Sequence, residues 1–290
     1  MTFAGTRDAP ALRLRPRGLA AVVLVTLVGV GAFVWPLVLG FGRESGSAHG
    51  VDAPWVFLVL VPLLLLVVAA EIADGTIDAK GVALLGVLGG TCAALRPVTG
   101  GVTGVQLMFF LLVPAGRVLG PGFGFVLGNV AMFASAAITG GGGPWLPFQM
   151  LAAGWIGLFA GLLPRCRGKA ELALLAAYGF VASVLYGFVL DLWFWPFGTT
   201  GNALGSAVTF LPGAPLAENL RRWIVFSVTT GLGFDLPRAV TTAVAVLLFG
   251  RPVLAALRRA SRRAAFGASA TFVASDPADS PTGGPPNVRA

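Results

Sequence analysis

Gly116-Arg117-Val118-Leu119-Gly120-Pro121-Gly122-Phe123-Gly124-Phe125-Val126-Leu127-Gly128 carries a glycine at every fourth position from 116 to 128. Two folds compete for such a stretch. A dinucleotide-binding turn needs G-x-G-x-x-G after a strand, so that backbone N–H groups approach a pyrophosphate at a helix N-terminus. That pattern fails, because Phe125 and Leu127 stand where its third glycine belongs and no strand precedes it. In a helix, residues four apart share a face, and glycines at this spacing make a ridge on which a second backbone can lie close. Pro121 suits the first turn of that helix, which leaves Gly116 in the turn before it.

The rest of the chain says which solvent such a helix needs. Of 290 residues 56% are hydrophobic and 11% charged, and the mean hydropathy is +0.86. A soluble domain carries about 25% charged residues; with so few, this chain has no means of covering its outside with polar groups, so the bilayer is its solvent. The fold class expected is an all-α integral membrane protein of about eight transmembrane helices. Apolar runs fall at Leu19 to Phe41, Trp55 to Ala70, Gly81 to Leu95, Gly104 to Ala115, Pro121 to Thr139, Leu146 to Leu163, Ala170 to Trp193 and Arg222 to Gly250. The third and fourth are short, and read either as two tilted spans or as one re-entrant hairpin. The last is too long for one simple crossing, and Gly231, Gly233 and Pro237 bend it or set off its beginning.

Basic residues set the orientation. With the N-terminus inside, Arg117, the Arg165 to Lys169 loop and the cluster Arg251, Arg258, Arg259, Arg262, Arg263 all fall on the cytoplasmic side, so both termini are expected in the cytoplasm. The net charge of +8 is thereby accounted for at chain ends and short loops. No basic face with interleaved aromatics is left for a nucleic acid. The organisation read from this is a basic N-terminus (1–18), two spans (19–80), a bundle (81–257) and a basic, then disordered, tail (258–290). The expected location is the cell membrane, with several crossings.

Chemistry is sparse. His49 is the single histidine and sits in a loop, which excludes a histidine-zinc site or a Ser-His-Asp triad within the membrane. Cys92 and Cys166 are spaced for neither metal nor disulfide and read as free thiols. No GxxxxGK[ST] motif occurs, so the chain does not itself couple ATP hydrolysis to work. No catalytic residue, metal or cofactor is expected. Glu71, Asp74 and Asp78 have rough helical spacing interrupted by Gly75; they support an alternative, a membrane-embedded enzyme acting on lipid or isoprenoid substrates.

Ionisable and amide residues within spans default to functional candidates. Trp145, Gln149, Asp191, Trp193, Trp195 and Asp235 fall in the outer half, around Gly140-Gly141-Gly142-Gly143-Pro144-Trp145-Leu146-Pro147 and the loop from Pro196 to Asn219. Asn129, an amide within the helix that precedes the glycine run, joins Trp145, Gln149, Asp191, Trp195 and Asp235 as a candidate substrate contact. They are expected to line a pocket for a small polar, partly planar ligand. Each also has a structural reading: Asp235 and Arg238, three apart, can pair, the amides can bond between helices, and Trp193 and Trp195 suit an aromatic belt. Small-residue stripes at Gly86, Gly90, Ala94 and at Ala153, Gly157, Gly161 read as packing ridges, or as docking faces if nothing in the chain covers them.

The segments LLGVLGGTCAALRP (84–97), FFLLVPAGRVLGPGFGFVLGNVAMFASA (109–136), GGGGPWLPFQMLAAGWIGLFAGLLPR (140–165) and GFDLPRAVTTAVAVLLFGRPVL (233–254) together resemble the substrate-binding (S) component of energy-coupling factor (ECF) transporters. The resemblance implies a six-helix bundle with an outward-facing pocket, here preceded by two extra spans. It implies a vitamin or related micronutrient as ligand, a cobalamin-type compound among the candidates. It also implies a membrane coupling subunit and two cytoplasmic ATPase subunits as partners, with Gly86, Gly90 and Ala94 as the face that docks the coupling subunit.

Overall fold

The computed structural model describes residues 16–38, 79–98, 104–198, 207–211 and 213–264, and every regular element among them is helical. In chain order these are α1 (Pro16–Val38), α2 (Ala79–Val98), α3 (Met108–Leu119), α4 (Pro121–Thr139), α5 (Leu146–Leu162), α6 (Gly168–Gly198), α7 (Leu216–Phe226), a π-helical turn (Ser227–Gly231) and α8 (Leu232–Ala264). The expected span from Trp55 to Ala70, His49 and the Glu71, Asp74, Asp78 set lie outside the described residues.

Four helical stretches are long and apolar enough to cross a membrane: Ala79–Pro97, Pro121–Thr139, Gly168–Pro196 and Leu216–Arg263. The apolar helices Gly18–Val34, Met108–Leu119 and Leu146–Leu162 are shorter. At about 1.5 Å per residue α3 is about 18 Å long, well under a hydrocarbon core of about 30 Å. Thus α2 is long and apolar enough to cross by itself, whereas α3 falls short of that length. The expected start of α3 at Gly104 moves to Met108, because Gly104 takes a left-handed φ of 73° that breaks the helix there.

Large apolar side chains face outward along the helices, among them Val181 and Leu185 on α6 and Val240, Val244 and Leu248 on α8. A water-soluble bundle would carry charge there.

Two of the three small-residue stripes are partners. A Cβ on Gly124 would collide with the carbonyl oxygen of Gly157, one on Gly157 with that of Gly124, and one on Gly128 with that of Ala153. Gly116 in α3 meets the same Gly157 carbonyl, while Gly161 packs on Pro121. Helices α3, α4 and α5 therefore touch backbone to backbone, an approach that only glycine permits. Gly120, with φ 99°, is the single residue between α3 and α4, so the ridge continues across the break. The third stripe behaves differently: Gly86, Gly90 and Ala94 are exposed, and nothing among the described residues lies within 4 Å of a Cβ placed on either glycine.

Helix α6 packs along α8, and α1 packs against α5, α6 and α7. Thr26 accepts a hydrogen bond from the Trp155 indole at 3.1 Å, and Phe33 meets Phe148 edge to face at 4.8 Å. One end of the bundle is tied by Glu171, whose Oε1 accepts from Arg117 at 3.1 Å and from Arg258 at 2.7 Å. The glutamate is 1% exposed. This gathers on one end the basic residues that the charge pattern assigns to a single side.

Candidate functional site

At the opposite end α4 stops at Gly140, whose left-handed φ of 63° lets the N–H groups of Gly140 and Gly141 both return to the Ala136 carbonyl. These bonds close the helix around a left-handed residue, a conformation for which glycine is favoured. The remaining glycines carry the chain to Trp145, and Pro147 sits in the first turn of α5, where no N–H partner is needed. The outcome is that Gln149 enters the bundle from a fixed direction.

There it meets a residue the sequence reading passed over. Arg96, in the last turn of α2, donates from Nη2 to Gln149 Oε1 at 3.0 Å and from Nη1 to Ser135 Oγ at 3.4 Å. Ser135 is fully buried on α4. Arg96 has no carboxylate partner among the described residues. Its signal was available: it is the one charged residue between Lys80 and Arg117, and an isolated ionisable group in an apolar stretch is a default candidate. Aromatic rings flank this cluster, with Trp193 of α6 at 5.8 Å from Phe148 and 6.4 Å from Trp145. Trp145 itself is 40% exposed, and its indole donates to the Gly141 carbonyl at 3.3 Å.

A second polar group lies between α6, the π-turn and α8. Asp235 and Arg238 pair, as their spacing predicts. Arg238 also donates from Nη2 and Nε to the Ser183 carbonyl at 2.9 and 3.2 Å, and its guanidinium lies 4.9 Å over the Tyr186 ring. Gly187 and Gly231 leave the room that the carboxylates of Asp235 and Asp191 occupy. Ser227 is close enough to Asp191 to interact with it, yet forms no bond of normal geometry. Buried and without a hydrogen-bond partner are Asp191 Oδ2, Asp235 Oδ2, Ser227 Oγ and the Tyr186 hydroxyl. The Tyr186 ring also meets Phe109 of α3 edge to face at 4.9 Å.

The remaining candidates stand apart. Trp195 is entirely buried in a small separate core with Leu37, Val208, Phe210 and Phe226, and its indole donates to the Val208 carbonyl at 2.5 Å. It anchors the segment before α7. Asn129 is fully buried and faces Gly154; its amide donates at 2.8 Å to Phe125 of its own helix and not to a neighbouring one, leaving Oδ1 unpartnered. A side chain with one free acceptor in an apolar interior has its conformation fixed mainly by space.

Among the described residues no group of three or more His, Cys, Asp or Glu stands close enough to hold a metal ion, and Cys92 and Cys166 are both free. What the arrangement offers is recognition: a guanidinium, an amide, hydroxyls and carboxylates beside aromatic faces. These features define an all-helical protein with membrane-length apolar helices and a polar interior. No family model, curated protein or solved structure matches the chain.

Proposed function

We propose that the chain is the membrane-embedded substrate-binding subunit of an ECF-type ATP-driven importer, taking up a vitamin or related micronutrient. The observation that carries this reading is the set of buried, unpartnered polar atoms on α6, the π-turn and α8, next to the Arg96 to Gln149 pair. An unpartnered buried polar group costs about 1–3 kcal/mol, and a ligand that bonds to several of them recovers that cost on binding. Arg96 supplies a positive contact, Asp191 a negative one, and Trp145 and Trp193 flat faces for a ring. Asp235 Oδ2 adds a further unpartnered acceptor beside Asp191, while Asn129 stays within the α4–α5 interface.

In this reading the protein sits in the cell membrane with its N- and C-termini in the cytoplasm and crosses it about eight times. It is not an enzyme: a coupling subunit and two cytoplasmic ATPase subunits supply the energy. The open stripe Gly86, Gly90, Ala94 suits close approach by a helix of that coupling subunit.

Equilibrium binding of the purified full-length chain to cobalamin-type compounds, thiamine, riboflavin, biotin and their precursors tests the proposal. One ligand bound at submicromolar Kd is expected. Absence of binding across the panel, together with failure to co-purify with ATPase partners, rejects it. A turnover of lipid that depends on Asp74 and Asp78 would establish the enzyme reading in its place.

A further inference from the structure

A cavity of about 380 Å³ opens at the arginine-rich end of the bundle, between the start of α6 and the last turns of α8. One face of α8 lines it. Arg251, Ala255, Arg258 and Arg262 follow each other at helical spacing, with Leu254 and Arg259 beside them. The acidic residue in its wall, Glu171, is already engaged by Arg117 and Arg258 and is buried. Arg251, Arg259 and Arg262 are exposed and have no ion-pair partner among the described residues. The cavity mouth is therefore strongly positive, while Leu254 and Ala255 make part of its wall apolar.

Its depth in the membrane decides what it meets. The apolar run Val244 to Gly250 ends one residue before Arg251, so the cavity begins where the hydrocarbon ends. Arg258 and Arg259 follow two turns later, about 10 Å further along the axis. The headgroup layer outside the hydrocarbon is about 5–8 Å thick on each side, so the backbone of Arg258 and Arg259 lies just beyond it and their long side chains reach back into it. A lipid phosphate would be level with these side chains, and its glycerol end beside Leu254.

We propose that this cavity binds the phosphate of an anionic phospholipid, with the glycerol backbone against Leu254 and Ala255 and the phosphate held between Arg251 and Arg259, while Arg262, one turn further out, adds longer-range attraction. Guanidinium groups bind phosphate oxygens in bidentate fashion, and basic pockets between membrane helices select acidic headgroups. The site is independent of the ligand pocket at the other end.

The test is native mass spectrometry of the full chain in detergent, with phosphatidylglycerol and phosphatidylcholine of matched acyl chains. Phosphatidylglycerol is expected to stay bound where phosphatidylcholine dissociates. The triple variant R251Q/R259Q/R262Q should weaken its retention by roughly a hundredfold, taking each arginine as worth about tenfold or somewhat less. A salt titration of the unmodified protein from about 50 to about 500 mM should release phosphatidylglycerol selectively, which keeps the test decisive if the variant does not fold. Equal retention of both lipids, a variant that retains lipid as the parent does, or salt-independent binding overturns the proposal. So does displacement by low millimolar inorganic phosphate alone, which would mark a site for free anions, or displacement by an acidic peptide with no lipid preference, which would mark a protein contact.

Discussion

Arg96 and Gln149 are bound to each other across 3.0 Å, tying the end of α2 to the first turn of α5. The two residues lie fifty-three positions apart, and Gln149 follows Phe148, whose ring meets Trp193 at 5.8 Å. If the pocket is a ligand site, this pair is its rim. Arg96→Ala should reduce ligand affinity by at least about tenfold, in keeping with about 1.5–3 kcal/mol for a hydrogen bond to a charged group. Gln149→Ala should cost less, and Trp145→Ala less again because that ring is half in solvent. Titration of each variant with the ligand found for the parent protein checks the order.

The glycine contacts between α4 and α5 make a prediction about stability alone. Gly157→Ala drives a methyl into the Gly124 carbonyl and should destabilise by about 1–3 kcal/mol, as other overpacked cores do. Gly86→Ala meets open space and should be neutral or stabilising by up to about 1 kcal/mol. Thermal melts of the purified variants in one detergent distinguish the two. A bulkier Gly86→Leu should leave the melt unchanged and, under the proposed function, prevent co-purification with the coupling subunit.

Glu171 is the joint of the arginine-rich end. Glu171→Gln leaves Arg117, 8% exposed at its side chain, without its counter-charge, and breaking a buried pair from one side costs about 3–5 kcal/mol. The expected result is a melting temperature lowered by several degrees, with ligand affinity at the opposite end unchanged in the fraction that remains folded.

Asp235 and Arg238 should show the same asymmetry. Arg238→Gln strands a carboxylate beside Gly187, whereas Arg238→Gln combined with Asp235→Asn removes both charges. The double variant should be more stable than the single one, by about 1 kcal/mol or more. A double-mutant cycle read by chemical or thermal unfolding measures the coupling directly.

Trp195→Phe should lower stability by about 1 kcal/mol through loss of the bond to the Val208 carbonyl. Ligand affinity should not change, because the indole lies in its own small core. An affinity loss comparable with that of Arg96→Ala would return Trp195 to the binding site.

Local signals proved sufficient where they fixed local geometry. Pro121 and Gly140 bracket α4 at the bounds the sequence predicts, and the Gly116 to Gly128 ridge finds its partner in Ala153, Gly157 and Gly161. The side-chain partnerships were less legible. Nothing in LRPVTG announces that Arg96 turns inward to Ser135 and Gln149, because that contact depends on how three helices are arranged. Trp195 sits two residues from Trp193 and four from Asp191, and their shared place at the outer end of the span groups all three with one pocket. The folding back of 207–211 draws Trp195 into a different core. For the last helix, Gly231 did point to an irregularity, but its form, a turn with wider pitch and no helix break, leaves no mark in composition.

That turn has a consequence for how α7 and α8 are joined. Ser227–Gly231 continues the helix while holding roughly one more residue than an α-turn would. One residue corresponds to about 100° of rotation around a helix axis, so the π-turn acts as a phase shifter between two faces of a single rod. It lets Trp223 meet Phe188 at 6.0 Å while Asp235 and Arg238 still turn toward Ser183 and Tyr186. Deleting one residue from 227–231 would restore an uninterrupted α-helix and swing one of those faces out of register with α6. The alignment of the interior carboxylates thus depends on residue count in that turn as much as on residue type.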